Sequence, residues 1–135
     1  MLAGLLGEEQ GQITARRVLP GSGSGPEMEV SFEASGVILG VQTSDVGTYV
    51  ATARSDGSLF GQGQGMIMTP DGEIATWAGQ GIGRRSGSGA ATSWRGALYF
   101  QTQCERLLAL NGMAVVFEFD VAADGKVQAK LWEWS

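Results

Sequence analysis

The stretch GQGQGMIMTPDGEIATWAGQGIG, residues 61–83, places glycine at alternate positions on both sides of a Pro-Asp-Gly turn signal. Side chains alternate between the two faces of a β-strand, so this spacing leaves one face of two neighbouring strands almost bare. Each glycine costs a strand about 0.5 to 1 kcal/mol relative to alanine, so the repetition needs a reason. The pattern indicates a hairpin that other groups approach closely on one face.

Asp-Gly turns set the strand pairing on either side of them. With a three-residue loop that ends in a left-handed glycine, the register follows by counting outward. Around Pro70-Asp71-Gly72 the predicted pairs are Ile67 with Ala75, Gly65 with Trp77, Gly63 with Gly79 and Gly61 with Gly81. Around Ser55-Asp56-Gly57 they are Ala53 with Leu59, Ala51 with Gly61, Tyr49 with Gly63 and Gly47 with Gly65. One face of three strands is then glycine and alanine, apart from Tyr49, Trp77 and a few aliphatic residues.

Two interpretations of the bare face stay open. In the first, the rings of Tyr49 and Trp77 lie across the glycine backbone, and the glycines let a coiled sheet close. In the second, the bare face lines a ligand cavity. The opposite face carries apolar residues and uncharged amides, typical of a barrel mouth that holds a ligand or of an exterior buried in an oligomer. On that face Gln62 and Gln80 lie opposite each other and are able to hydrogen-bond.

The remaining chain also alternates with a period of two. Residues 11–19 and 28–34 and the runs GVILGVQ (36–42) and VGTYVATAR (46–54) are predicted as strands. A third Asp-Gly loop at Ala123-Asp124-Gly125 predicts the pairs Val121 with Val127, Phe119 with Ala129, Phe117 with Leu131 and Glu118 with Lys130. Residues 104–112 alone have helical character. We expect a single all-β domain, residues 1–135: an antiparallel β-barrel of about eight to nine strands with one short helical turn.

Composition and charge limit the classes of function. A net charge of −5 argues against nucleic acid and anionic membranes as partners. The absence of histidine excludes Ser-His and Cys-His catalysis and removes the commonest transition-metal ligand, so we expect no cofactor and no metal. Cys104 is the single cysteine. The opening MLAGLLGEEQ is too short and too acidic for a secretory signal or a membrane span, which favours a soluble cytoplasmic protein.

Charged residues offer few candidate sites. GIGRRSGSG, residues 81–89, is a glycine-rich segment in which backbone amides and Arg84 or Arg85 could hold an anion, although a simple hairpin connection is the alternative. Arg95 lies in the middle of a predicted strand and is expected to meet an acidic residue or an anionic ligand. The glutamates of GEEQ (7–10) and EMEVSFE (27–33) are predicted to lie on solvent-facing surfaces.

The runs DGSLFGQGQGMIMTPDGEIATWAGQGIGR (56–84) and WRGALYFQT (94–102) resemble the allene oxide cyclase-like or calycin-like barrel group, which includes bacterial members of no known activity. The resemblance spans residues 46–102 and rests on turn and glycine spacing. It implies an antiparallel barrel of about eight strands, often oligomeric, with a cavity that holds a hydrophobic ligand in some members. No catalytic residue of the plant cyclases matches a position here.

Three functions follow as hypotheses. The first is a noncatalytic module that binds a small apolar or amphipathic ligand, with a lining drawn from Tyr49, Gln62, Gln64, Met66, Trp77, Gln80 and Arg95. These residues occupy both faces of the sheet, so a one-sided pocket uses only part of the set. The second is a structural protein that forms a homo-oligomer around a filled barrel. The third is a histidine-free cyclase or isomerase that confines a lipid-like substrate, with Arg95 or a carboxylate as its polar participant.

Overall fold

The computed structural model describes residues 2–21, 25–86 and 91–135, and in this part of the chain eight antiparallel strands form a closed barrel. Each strand pairs with its neighbour in sequence, and the last pairs with the first. The strands are β1 (Leu2–Leu19), β2 (Glu27–Ile38), β3 (Val41–Ala53), β4 (Leu59–Met68), β5 (Ile74–Arg85), β6 (Thr92–Thr102), β7 (Ala114–Val121) and β8 (Lys126–Trp134). A single 3-10 helix, Glu105–Gly112, connects β6 to β7. The predicted all-β barrel with one short helical turn is confirmed.

The three Asp-Gly loops set the register that the sequence predicts. All the pairs predicted for β3 with β4, β4 with β5 and β7 with β8 are present. Gly57, Gly72 and Gly125 have φ angles of +89°, +86° and +91°, in the left-handed region that three-residue loops require. In the central loop, the Gly72 amide donates to the Thr69 carbonyl at 3.0 Å.

The prediction that GVILGVQ is one strand is wrong. Strand β2 ends at Ile38, a tight turn occupies Leu39 and Gly40, and β3 begins at Val41. Both turn residues have positive φ, +50° and +76°, as a two-residue hairpin loop demands. The sequence does not predict this turn because its first residue is Leu39, whereas asparagine or aspartate is the usual turn signal at that position. Strand β1 is also longer than the predicted strand 11–19, because it begins at Leu2.

The bare glycine face is the inside of the barrel. The Trp77 indole covers Gly65 and Gly47, and a Cβ added at Gly47 would lie 2.7 Å from its Cζ2 atom. Trp94 covers Gly61 and Gly83 in the same way, because a Cβ added at these glycines would lie 2.6 and 2.9 Å from the nearest atom of its indole ring. The interpretation that large rings lie on bare backbone is therefore correct for Trp77, and Trp94 is a second such ring that the sequence analysis did not identify.

The two ends of the barrel differ. The 3-10 helix closes one end, where Leu107 and Leu110 are 1% and 0% exposed within the core. The Asn111 side chain fixes this helix to β6, because it accepts from the Thr102 amide at 2.8 Å and donates to the Thr102 carbonyl at 2.9 Å. The opposite end, where β1 meets β2 and β5 meets β6, carries an open cavity that we call the mouth.

Candidate functional site

The mouth is a cavity of about 460 Å³ with largely apolar walls. Inward-facing residues from five strands form these walls: Val30, Ala51, Ala53, Leu59, Trp94 and Val121. They face inward because each continues the alternation of the buried face of its strand. An apolar concavity at the end of a β-barrel is a common place for a small-molecule site.

Two arginines stand on inward-facing positions at the rim of the mouth. Strand β1 has a bulge between Ile13 and Ala15, and the shifted register places Arg16 opposite the inward-facing Val30. Without that extra residue in β1, Ala15 would take the position opposite Val30 and Arg16 would point outward. Arg85, on β5, pairs with Thr92 and lines the same cavity. Strands β1 and β5 are four apart in an eight-stranded barrel, so the two arginines approach the mouth from opposite sides.

Neither rim arginine has an acidic partner among the described residues. Arg17, the outward-facing neighbour of Arg16, pairs with Glu29 at 3.3 Å. Glu27 also borders the mouth, but its carboxylate accepts a hydrogen bond from the Thr52 hydroxyl at 3.2 Å. The mouth therefore combines apolar walls with two guanidinium groups that no described carboxylate neutralises.

Tyr49 and Trp94 form the floor of the mouth, with their ring centroids 5.4 Å apart in an edge-to-face arrangement. Burial raises the pKa of the Tyr49 hydroxyl to about 12, and the nearby charge of Arg16 opposes that rise. The hydroxyl is therefore neutral at physiological pH. Both rings also line a second cavity deeper in the barrel, so they separate the mouth from the interior.

The interior cavity is small and mostly aromatic. Its volume is about 80 Å³, and Phe32, Trp77, Phe100, Phe117 and Phe119 supply much of its lining. An engineered cavity of about 150 Å³ is known to hold benzene. The interior, at about 80 Å³, therefore has room for a few water molecules and not for a lipid-like ligand. Of these two cavities, the mouth has the larger space for a ligand.

A pair of acids lies inside the barrel beside this interior cavity. Glu9 and Asp45 are only 4% and 6% exposed. The Thr43 hydroxyl donates to Glu9 Oε2 at 2.8 Å, and Trp77 Nε1 donates to Asp45 Oδ1 at 2.9 Å. Burial, followed by the charge of Glu9 and a hydrogen bond to it, raises the pKa of Asp45 from 3.8 to about 9. Asp45 therefore carries a proton at neutral pH and lies within hydrogen-bond reach of Glu9.

This acid pair was not predicted from the sequence, and the prediction that Glu9 faces solvent is wrong. Glu9 pairs with Gly36 on one side and Ala129 on the other, inside the closed sheet. A signal for Asp45 was available, because it alternates with Gly47 and Tyr49 on the face that becomes the interior. Glu9 likewise alternates with Gly7 and Gly11 on one face, but no Asp-Gly loop fixes the register of β1, so its placement depends on the pairing of β1 with β8.

The seven residues predicted to line a ligand site divide between the two faces of the sheet. Tyr49 and Trp77 point into the barrel. The side chains on the outer face are those of Gln62, Gln64, Met66, Gln80 and Arg95. The structure therefore does not bring the seven together at one site, and it adds Arg16, Arg85 and Trp94 to the inward-facing ones.

On the outer face these side chains have partners of their own. Gln80 Nε2 donates to Gln62 Oε1 at 3.2 Å, the pairing that the hairpin register predicts. Arg95 pairs with Asp120 at 2.9 Å and lies 3.9 Å from Glu118, so it meets acidic residues as one of its two interpretations expects. Of the glycine-rich segment 81–89, residues 87–89 lie outside the described residues.

Neither a cluster of metal ligands nor a membrane-spanning helix occurs among the described residues. In the described ranges, no three aspartate, glutamate or cysteine side chains come together as a metal site would require. The helical part of the same ranges contains no segment of the length and apolarity that a membrane crossing requires. The cellular compartment stays a prediction.

Comparison with known proteins identifies the fold. No protein-family profile matches this chain, and no curated protein matches its sequence. Three solved structures share the fold with TM-scores of 0.81: a protein of unknown function from Clostridium acetobutylicum ATCC 824, a conserved protein of unknown function from Rhodopseudomonas palustris, and a β-barrel-like protein from Acinetobacter baumannii AYE. Their sequences are 12%, 12% and 14% identical to this one. The alignments cover 97%, 98% and 98% of this chain and 97%, 97% and 94% of theirs.

Proposed function

We propose that this barrel binds a small apolar or amphipathic organic molecule in its mouth and does so without catalysis. The observation that carries the proposal is the open cavity of about 460 Å³, walled by aliphatic side chains and floored by two aromatic rings. Small-molecule sites have volumes of about 300 to 1,000 Å³ and are mostly apolar, so the mouth has the size and character of such a site. A hydrophobic ligand also agrees with the allene oxide cyclase-like or calycin-like group that the sequence resembles.

The position of the acid pair favours binding over catalysis. Glu9 and Asp45 line the interior cavity below the Tyr49 and Trp94 rings, and neither lines the mouth. Arg95, the polar participant in the isomerase hypothesis, lies outside the barrel and pairs with Asp120. A molecule in the mouth therefore contacts mainly apolar side chains and the two arginines, while the carboxylate of Glu27, which also borders the mouth, accepts a hydrogen bond from Thr52.

Titration with phenylnaphthylamine, a neutral apolar fluorophore, tests this proposal. We expect saturable binding with one probe per chain in the wild type. The variant Ala53→Phe fills the wall of the mouth and should abolish binding, whereas Ala78→Phe makes the same change on the exposed outer face of β5 and should retain it. Near-ultraviolet circular dichroism confirms that both variants are folded. Equal binding by both variants, or no saturable binding by the wild type, would contradict the proposal.

A homo-oligomer is a second candidate, supported by a group of exposed apolar side chains on the outer face. Val46, Met66, Met68 and Ile74 lie on neighbouring strands and are 51%, 37%, 42% and 47% exposed. Contiguous exposed apolar surface often marks a subunit contact. Sedimentation equilibrium tests this: Val46→Lys with Met66→Lys should give a monomer, and Tyr99→Lys, elsewhere on the outer face, should leave the oligomer intact. A wild-type monomer at every accessible concentration would rule the contact out.

A further inference from the structure

We infer that the ligand of the mouth is an organic anion, an apolar body with one carboxylate or sulfonate group, and that Arg16 and Arg85 hold the acidic group between them. This inference rests on the proposed function, because it names the chemical class of the molecule in the same cavity. It goes beyond an apolar cavity by assigning a charge to the ligand and two residues to its recognition.

The first support is the placement of the two guanidinium groups. The bulge in β1 turns Arg16 toward the mouth, and the regular alternation of β5 places Arg85 on the inner side across from it. Bulges of this kind commonly re-aim a side chain at a binding site. Two arginines on opposite strands of one cavity are able to bracket a single anionic group with several N–H donors.

The second support is charge. The chain carries 14 acidic and 9 basic residues, yet two of the three charged residues that line the mouth in the described ranges are arginines, and the third is Glu27. Three of the other five arginines meet a carboxylate, at 3.3, 2.9 and 2.9 Å: Arg17, Arg95 and Arg106. Arg16 and Arg85 have no such partner in residues 2–21, 25–86 and 91–135. An anionic ligand would supply the missing partner, and charge-assisted hydrogen bonds to guanidinium groups are the strong kind.

The third support is the presence of charged and apolar groups in one mouth. Arg16 and Arg85 share the cavity with aliphatic side chains, among them Ala51, Leu59 and Val121. An amphipathic anion fits this combination, because its apolar body displaces water from the aliphatic walls while its acidic group meets the guanidinium groups. A fully polar anion would leave the apolar wall unpartnered.

A matched pair of probes separates charge from apolar contact. Phenylnaphthylamine is neutral, and anilinonaphthalene sulfonate has the same ring system with one added sulfonate. We expect the wild type to bind the sulfonate probe about tenfold more tightly, with a preference that weakens as salt is added. The double variant Arg16→Gln with Arg85→Gln should lose this preference while it keeps its affinity for the neutral probe. The control is Arg17→Gln with Arg84→Gln, which removes the same charge from the adjacent outward-facing positions.

Each outcome of this experiment bears on a different statement. If both probes bind equally and the arginine variants change neither affinity, the anion inference is overturned and the proposed function stands. If neither probe binds saturably to the folded wild type, both the anion inference and the proposed function are overturned. If the outer-face control loses as much affinity for the sulfonate probe as the inner-face variant, general charge explains the preference, and the inference is again overturned. Decanoate should displace the sulfonate probe at a lower concentration than decanol does if the inference is correct.

Discussion

Replacing Asp45 by asparagine should stabilise the protein at neutral pH and remove most of the pH dependence of its stability. In the wild type Asp45 keeps a proton inside the barrel while it accepts from Trp77 Nε1 and faces Glu9. Asparagine has the same shape, accepts from the indole through its oxygen and offers its amide hydrogens to Glu9. The variant therefore keeps the hydrogen bonds and does not need a proton to enter the barrel.

The size of the effect follows from the difference in pKa between the folded and unfolded chains. The unfolded carboxyl titrates near 3.8 and the folded one near 9, so above pH 4 folding takes up a proton. Stability then falls as pH rises, by about 1.36 kcal/mol per pH unit, until the folded group also ionises. Between pH 5 and pH 8 the wild type should lose about 4 kcal/mol relative to Asp45→Asn. That loss is a large fraction of the 5 to 15 kcal/mol typical of a domain.

Urea unfolding at pH 5, 6, 7 and 8, followed by tryptophan fluorescence, measures this difference. The free energy of unfolding of Asp45→Asn minus that of the wild type should rise steadily across the series. Asp120→Asn, on the outer face and half exposed, is the matched control and should show no such rise. In Glu9→Gln the free energy of unfolding should still fall as pH rises, although less steeply than in the wild type, because burial is the larger cause of the raised pKa of Asp45. If the difference in free energy of unfolding between Asp45→Asn and the wild type stays constant with pH, Asp45 is not protonated in the folded protein and the reasoning is refuted.

Three further substitutions test how the barrel is packed. Gly65→Ala puts a Cβ into the Trp77 indole and should lower the free energy of unfolding by about 1 to 3 kcal/mol, whereas Gly4→Ala, with open space at its Cβ position, should be nearly neutral in the same urea titration. Leu107→Ala empties a fully buried position in the 3-10 helix and should cost about 2 to 5 kcal/mol, while Leu108→Ala, 45% exposed, should cost far less; comparable losses would show that this helix does not close the core. Arg95→Ala breaks an exposed ion pair and should change stability by at most about 1 kcal/mol, with phenylnaphthylamine affinity unchanged; a loss of binding would place the ligand on the outer face.

The register of the central strands was predictable because it depends on local signals. Asp-Gly loops fix pairing by counting, and the glycine runs show which face the rings of the core approach. The turn at Leu39 and Gly40 was not predictable in the same way, since leucine rarely takes a positive φ and gives no turn signal. The predicted strand 36–42 therefore combined the end of β2 with the start of β3.

The site was harder to predict than the fold because it depends on how distant strands meet. The bulge near Ala15 exchanges the faces of the residues that follow it, and no glycine or proline marks it. The burial of Glu9 follows from the closure of β8 onto β1, more than a hundred residues away in sequence. The seven predicted lining residues occupied both faces of the sheet, and only the closure of the barrel decides that Tyr49 and Trp77 are the ones that point inward.

The packing of indole rings on glycines has a consequence for how such a sequence can change over time. Trp77 and Gly65 lie on neighbouring strands, and the volume of one residue occupies the space that the other leaves empty. A large residue at one of the two positions and a small one at the other can therefore be exchanged by paired substitutions. Such a pair keeps the total side-chain volume and leaves the backbone in place. Barrels of this kind are free to drift far in sequence while their outline persists, and such compensating pairs would be the trace of that drift.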